Sequence, residues 1–128
     1  MLVAGAMSKV VLTVGPEHTL RQAARLMTTR RVGSAIVVDP DGSGVGIITE
    51  RDILYAIGAG LDPDVAHTGD HQTTEVVYAA PDWTVADAAA AMVRGGFRHL
   101  VVLDGDDVLG VISVRDVLRS LSQERVDA

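Results

Sequence analysis

The chain contains no cysteine, and its aromatic residues are one tryptophan, two tyrosines and one phenylalanine. The lack of cysteine excludes disulfides and thiolate metal sites, and fits a reducing compartment. With aromatics at 3% of 128 residues, a core must come from aliphatics, and 48% of the chain is hydrophobic. That balance suits an α/β domain of ordinary size and excludes a disordered chain. No Lys/Arg run is longer than Arg30-Arg31 and the formal net charge is −6, so nucleic acid is not an expected partner. No apolar stretch approaches the roughly 20 residues of a membrane span. The first residues, MLVAGAMSKVVLTVGP, lack the basic start and long apolar run of a signal peptide. The expectation is a soluble, cytoplasmic protein with no membrane partner.

What is present is a repeat. GIITERDIL (Gly46–Leu54) returns as GVISVRDVL (Gly110–Leu118) after a shift of 64 residues. Upstream, a shift of 65 places Pro16-Glu-His-Thr19 on Pro81-Asp-Trp-Thr84, and Ala23, Ala24 and Met27 on Ala88, Ala89 and Met92. SAIVVD (Ser34–Asp39) falls on HLVVLD (His99–Asp104). The turn that absorbs the lost residue is Pro40–Gly44 in one copy and Gly105–Asp107 in the other. Two units follow: residues 1–64, with the N-terminal segment, and residues 65–128, with the C-terminal tail. The Gly-, Pro-, Asp- and His-rich stretch Gly58–Thr73 reads as the connector, shared between them.

Each unit reads strand, helix, strand, strand, helix. The β-branched run Val10–Thr13 before Gly-Pro predicts a strand. Thr19-x-x-Gln22 and Thr84-x-x-Asp87 are capping boxes that open helices, with Leu20, Ala23, Ala24 and Met27 on one face. The helices should end near Arg30-Arg31 and at Gly95-Gly96, where glycine suits a left-handed C-terminal residue. Two apolar runs joined by a turn then form a hairpin, and a last helix begins at Thr49 or Ser113.

The repeated phrase holds the candidate chemistry. Thr49-Glu-Arg-Asp52 and Ser113-Val-Arg-Asp116 place a hydroxyl and a carboxylate three residues apart. One reading is structural: a Thr or Ser N-cap with an acid at the third helical position satisfies first-turn amides and suits the helix dipole. The other is functional: helix amides and a hydroxyl hold phosphate, and a carboxylate accepts ribose hydroxyls. Spacing alone leaves both open.

The tandem β-α-β-β-α order, with G-h-h-[ST]-x-x-D closing each unit, resembles the CBS-domain pair, or Bateman module. The resemblance covers roughly Ala6 to Leu121. It implies two repeats packed about a pseudo-two-fold axis, with clefts for AMP, ADP, ATP, S-adenosylmethionine or NAD. Asp52 and Asp116 would then hold ribose hydroxyls, and Thr49 and Ser113 would contact phosphate or ribose. Backbone near Thr13-Val14 and Tyr78-Ala79 would read adenine, with Ile47, Ile48, Val111 and Ile112 as apolar walls. Arg98 and His99 stand where nucleotide-binding members meet phosphate, whereas the first repeat has Gly33-Ser34. Surface exposure for Arg98 and a satisfied strand position for His99 are equally good readings; Arg51 and Arg115 read more simply as exposed helix arginines. His71-Gln72, in place of Ala6-Met7, departs from the apolar residues that the resemblance implies before a repeat and predicts a looser or partner-facing start to the second one.

The remaining constellations carry less. His67 and His71 flank Asp70 at a metal-like spacing, but Thr68-Gly69 weakens the helix and a third ligand is missing. Trp83 reads as a hydrophobic staple on Ala88, with a partner contact as the alternative. Asp104, Asp106 and Asp107 read as turn formers without the spacing of a calcium loop. No P-loop, Rossmann or nucleophile-elbow motif is present. The expected protein is a stand-alone, non-enzymatic sensor that needs no cofactor, binds an adenosine ligand, pairs as a homodimer and modulates an unidentified protein. The competing reading is a ligand-free interaction module whose Thr/Ser-x-x-Asp motifs are only caps.

Overall fold

The computed structural model describes residues 1–42 and 45–127. Ser43 and Gly44 of the expected Pro40–Gly44 turn, and Ala128 of the tail, lie outside the described residues. The elements are α1 (Val3–Ala6), β1 (Thr13–Val14), α2 (Leu20–Arg30), β2 (Ser34–Val38), β3 (Val45–Thr49) and α3 (Glu50–Gly58). They are followed by α4 (Thr68–His71), β4 (Tyr78–Ala79), α5 (Val85–Gly95), β5 (His99–Asp104), β6 (Asp107–Ser113) and α6 (Val114–Asp127). They form a mixed α/β fold with two three-stranded sheets, β1-β2-β3 and β4-β5-β6. In each, the first pair is parallel and the second is the antiparallel hairpin that the apolar runs predict.

Local chemistry sets the helix limits. Thr19 accepts from the Gln22 amide while the Gln22 side chain accepts from the Thr19 amide, and Thr84 and Asp87 repeat this box. Each pair satisfies two amides that would otherwise face solvent unbonded. The C-terminal ends are left-handed at Arg31 (φ 56°) and Gly96 (φ 70°). The first strand is shorter than expected, beginning three residues later and ending one later, at Thr13–Val14, because only these two residues pair with β2.

Each unit has its own aliphatic core. Leu12, Val14, Leu20, Met27, Ala35, Val37, Ile48, Ile53 and Ala56 form one. Val3, Ala79, Val85, Ala88, Met92, Leu100, Val102, Ile112 and Val117 form the other, with Trp83 packed on the cluster that includes Ala88.

Packing does not divide the chain at residue 64. One compact unit is Leu12–Val76, and the other joins Met1–Val11 to Val77–Ala128. The segment leading into each sequence repeat therefore packs with the other repeat. Ser8 bridges Val111 on β6, and Thr73 bridges Ile47 on β3. Val3 lies in the second core, and its amide donates to the Trp83 carbonyl.

The stretch read as a connector is thus docked. The amides of Leu20 and Arg21, at the start of α2, donate to the Ala66 and Pro63 carbonyls. Arg21 also pairs with Asp64, and this hydrogen-bonded guanidinium holds the Asp64 carboxyl below the usual range. Thr68 is fully buried, its hydroxyl donating to the Gly15 carbonyl at 2.7 Å. The start of the second repeat is therefore well anchored rather than loose, although it carries His71-Gln72.

The docking explains the glycine of the repeated phrase. A Cβ on Gly110 would fall well inside contact distance of the Ser8 carbonyl oxygen, which is held in the bridge to Val111. A Cβ on Gly46 would meet mainly the end of the Gln72 side chain, which can swing aside, with the Thr73 carbonyl 3.2 Å away. Gly110→Ala should therefore cost about 2–3 kcal/mol and Gly46→Ala less than about 1 kcal/mol. Urea unfolding of the two variants checks this, and equal losses would contradict it.

Candidate functional site

The candidate carboxylates sit where β3 runs into α3 and where β6 runs into α6. Thr49 is the N-cap of α3, and its amide and hydroxyl both donate to Asp52 Oδ2, each at 2.9 Å. The Asp52 amide returns a bond to Thr49 Oγ1 at 3.2 Å. Ser113 and Asp116 repeat the arrangement: the Ser113 amide and hydroxyl donate to Asp116 Oδ2 at 2.9 and 3.0 Å, and the Asp116 amide donates back at 3.1 Å. The capping reading of the motif is thus realised in both repeats. It uses one carboxylate oxygen, Oδ2. Asp52 Oδ1 accepts no hydrogen bond among the described residues. Asp116 Oδ1 faces Arg119 Nη1 at 3.5 Å.

The strand register brings further candidates to the caps. Ser34 lies opposite Thr49, and His99 opposite Ser113. The backbone carbonyls just before them complete the helix starts: the Glu50 amide donates to Gly33 and the Val114 amide to Arg98. Of the first three amides in each helix, those of Arg51 and Arg115 alone remain for an anion among the described residues. A phosphate cradle made of helix amides is thereby reduced to one donor per repeat. The Arg98 side chain is exposed and His99 is half-buried. Arg51 is exposed and its guanidinium lies over the Tyr55 ring, 5.6 Å from the centroid, as an exposed helix arginine would.

The candidates for reading adenine are divided by burial. Thr13 and Tyr78 are exposed, while Val14 and Ala79 belong to the cores. Ile48 and Ile112 are fully buried in their cores, which leaves them no surface for a ligand wall. Their neighbours Ile47 and Val111 point to the other face of each strand, outside both core clusters. The His67–Asp70–His71 group forms no metal-holding cluster among the described residues. Among them, too, no helix is long and apolar enough to cross a membrane.

Reasoning from sequence missed the Arg119 pairing, although Asp116-x-x-Arg119 has the spacing of helix neighbours. It also missed Thr68, whose burial depends on a carbonyl 53 residues away in the chain.

The CBS domain family model matches residues 3–59 and again 69–123. An uncharacterised 17.7 kDa protein of Acidianus ambivalens is 38% identical over 112 residues, covering 87% of this chain and 67% of that protein. The chain spans only 35–57% of the length of three other curated relatives that it matches. A CBS domain protein from Pyrobaculum aerophilum, solved in complex with AMP, superposes with a TM-score of 0.81 at 25% identity, covering 96% of this chain and 99% of that one. The CBS domain pair of protein MJ0100, in complex with 5′-methylthioadenosine and S-adenosyl-L-methionine, superposes with a TM-score of 0.85 at 25% identity, covering 97% and 98%. Two family matches, laid over the two copies of a cap that closes each sheet, identify this chain as a member of the CBS domain family with two tandem domains.

Proposed function

We propose that the chain is a regulatory module that binds an adenosine-containing ligand (AMP, ADP, ATP, S-adenosylmethionine or NAD) and modulates a partner protein. The observation that carries this reading is the division of labour within the cap carboxylate. Oδ2 closes the cap in both repeats, and in Asp52 the second oxygen is left to accept the hydroxyls of a ribose. A carboxylate held by two donors keeps its rotamer, so the accepting oxygen is already placed before a ligand arrives. The exposed edges at Thr13 and Tyr78 supply backbone for the base. The exposed Arg98 side chain and the Arg51 and Arg115 amides are available to phosphate. The AMP and S-adenosylmethionine complexes of the structural neighbours support this ligand class. A ligand of this kind acts by favouring one arrangement of the module over another. The CBS family is one of regulatory modules rather than of catalysts, in keeping with a non-enzymatic role.

The competing reading, a ligand-free interaction module, is favoured by the completeness of the caps, which satisfy themselves without a ligand. Calorimetric titration with AMP, ADP, ATP, S-adenosylmethionine and NAD separates the two. Saturable binding of at least one compound is expected. Silence across the panel, from folded protein stripped of carried-over ligand, would leave only the caps.

The module is also proposed to pair as a homodimer. Leu54 and Ile57 on α3 are 66% and 51% exposed, and their repeat equivalents Leu118 and Leu121 on α6 are 60% and 49% exposed. Large aliphatics exposed at the same helix positions in both repeats are costly to leave in water and suit association. Light scattering at micromolar concentration should give the mass of a dimer. Leu54→Glu combined with Leu118→Glu should give a monomer, and a monomeric wild type would overturn the pairing.

A further inference from the structure

The two cap carboxylates are equal in sequence and unequal in surroundings. Their Oδ2 atoms make matching bonds, so any difference in what they can accept lies at Oδ1. In the first repeat Asp52 is half-buried, and its Oδ1 makes no hydrogen bond or ion pair among the described residues. In the second repeat Arg119, one helical turn further on, brings Nη1 to 3.5 Å from Asp116 Oδ1, and only 9% of the Asp116 side chain is exposed. The first-repeat residue at the place of Arg119 is Tyr55, which has no cation to offer and packs with Arg51 instead. One carboxylate is therefore open, while the other is covered and already paired with a cation.

We infer that the two positions differ in function: Asp52 takes the vicinal hydroxyls of the ligand, and Arg119 withholds Asp116 from the same role. This rests on the adenosine-ligand reading above and adds stoichiometry and a specificity-determining residue to it. A vicinal diol brings O–H donors that need an accepting oxygen with exposed lone pairs. Oδ1 of Asp52 offers them. At Asp116 a diol must displace the guanidinium and reach a carboxylate with little surface. The module accordingly takes one adenosine ligand per chain, at the first repeat, and Arg119 is the residue whose removal opens a second position.

The test uses the full chain and titrates AMP and S-adenosylmethionine by calorimetry, with 2′-deoxy-AMP as the probe lacking the diol. Asparagine is the substitution of choice. Its carbonyl oxygen keeps the cap bonds while its amide nitrogen replaces the diol-accepting oxygen, and urea unfolding confirms that each variant is folded. Expected are one site per chain, an affinity for 2′-deoxy-AMP at least about tenfold weaker than for AMP, and a loss of at least about tenfold for Asp52→Asn. Arg119→Gln should add a second binding event, and Asp116→Asn in that background should remove it. Two equivalent sites in the wild type, or an Arg119→Gln variant that still binds one ligand, would overturn the inference and leave the adenosine reading standing. The absence of binding by either ligand would overturn both.

Discussion

A single carboxylate oxygen joins strand to helix in each repeat. Oδ2 of Asp52 and of Asp116 accepts from both the amide and the hydroxyl of the residue that ends the sheet. The opposite strand contributes a carbonyl, Gly33 or Arg98, to the first helical amide. Three chain segments thus meet at each cap. Truncating the aspartate to alanine would loosen the helix start, the end of β3 or β6 and the register with the neighbouring strand together. A ligand gripping the remaining oxygen of Asp52, as proposed, would act on a point already tied to the whole unit.

The second constraint is topological. Each sheet is completed by the segment that precedes the other repeat in sequence, through Ser8 against Val111 and Thr73 against Ile47. Glycine at 46 and 110 lets that segment approach the strand closely. The repeated phrase therefore combines two functions along its length. Its glycine admits a backbone, and its hydroxyl and carboxylate cap a helix. Two polar residues of the connector serve this docking. Arg21 with Asp64, and Thr68 with Gly15, fasten it to the unit in which it lies.

Most of the local structure was legible because it depends on spacing within one or two turns. The capping boxes at Thr19 and Thr84, the hairpins, the left-handed end at Gly96 and the caps at Thr49 and Ser113 follow from residues three or four apart. The resemblance to the CBS pair rested on the same residues, and the family match covers both copies. What was not legible depends on distance along the chain or on which face of a strand is covered. VGII (45–48) is apolar throughout, and Gly46, Ile47 and Ile48 are all buried, so no alternation marks Ile48 as core and Ile47 as the opposite face. The exchange of lead-in segments leaves no periodic trace, and so the boundary at 64 marks the sequence repeat and not the packed unit.

The proposed function requires that the two oxygens of Asp52 divide between cap and ligand. The most direct measurement is a crystal structure of the full chain grown with AMP. Ribose hydroxyls are expected about 3 Å from Asp52 Oδ1, with the Thr49 amide and hydroxyl still on Oδ2. A nucleotide bound away from Asp52, or one whose binding pulls Oδ2 off Thr49, would contradict it.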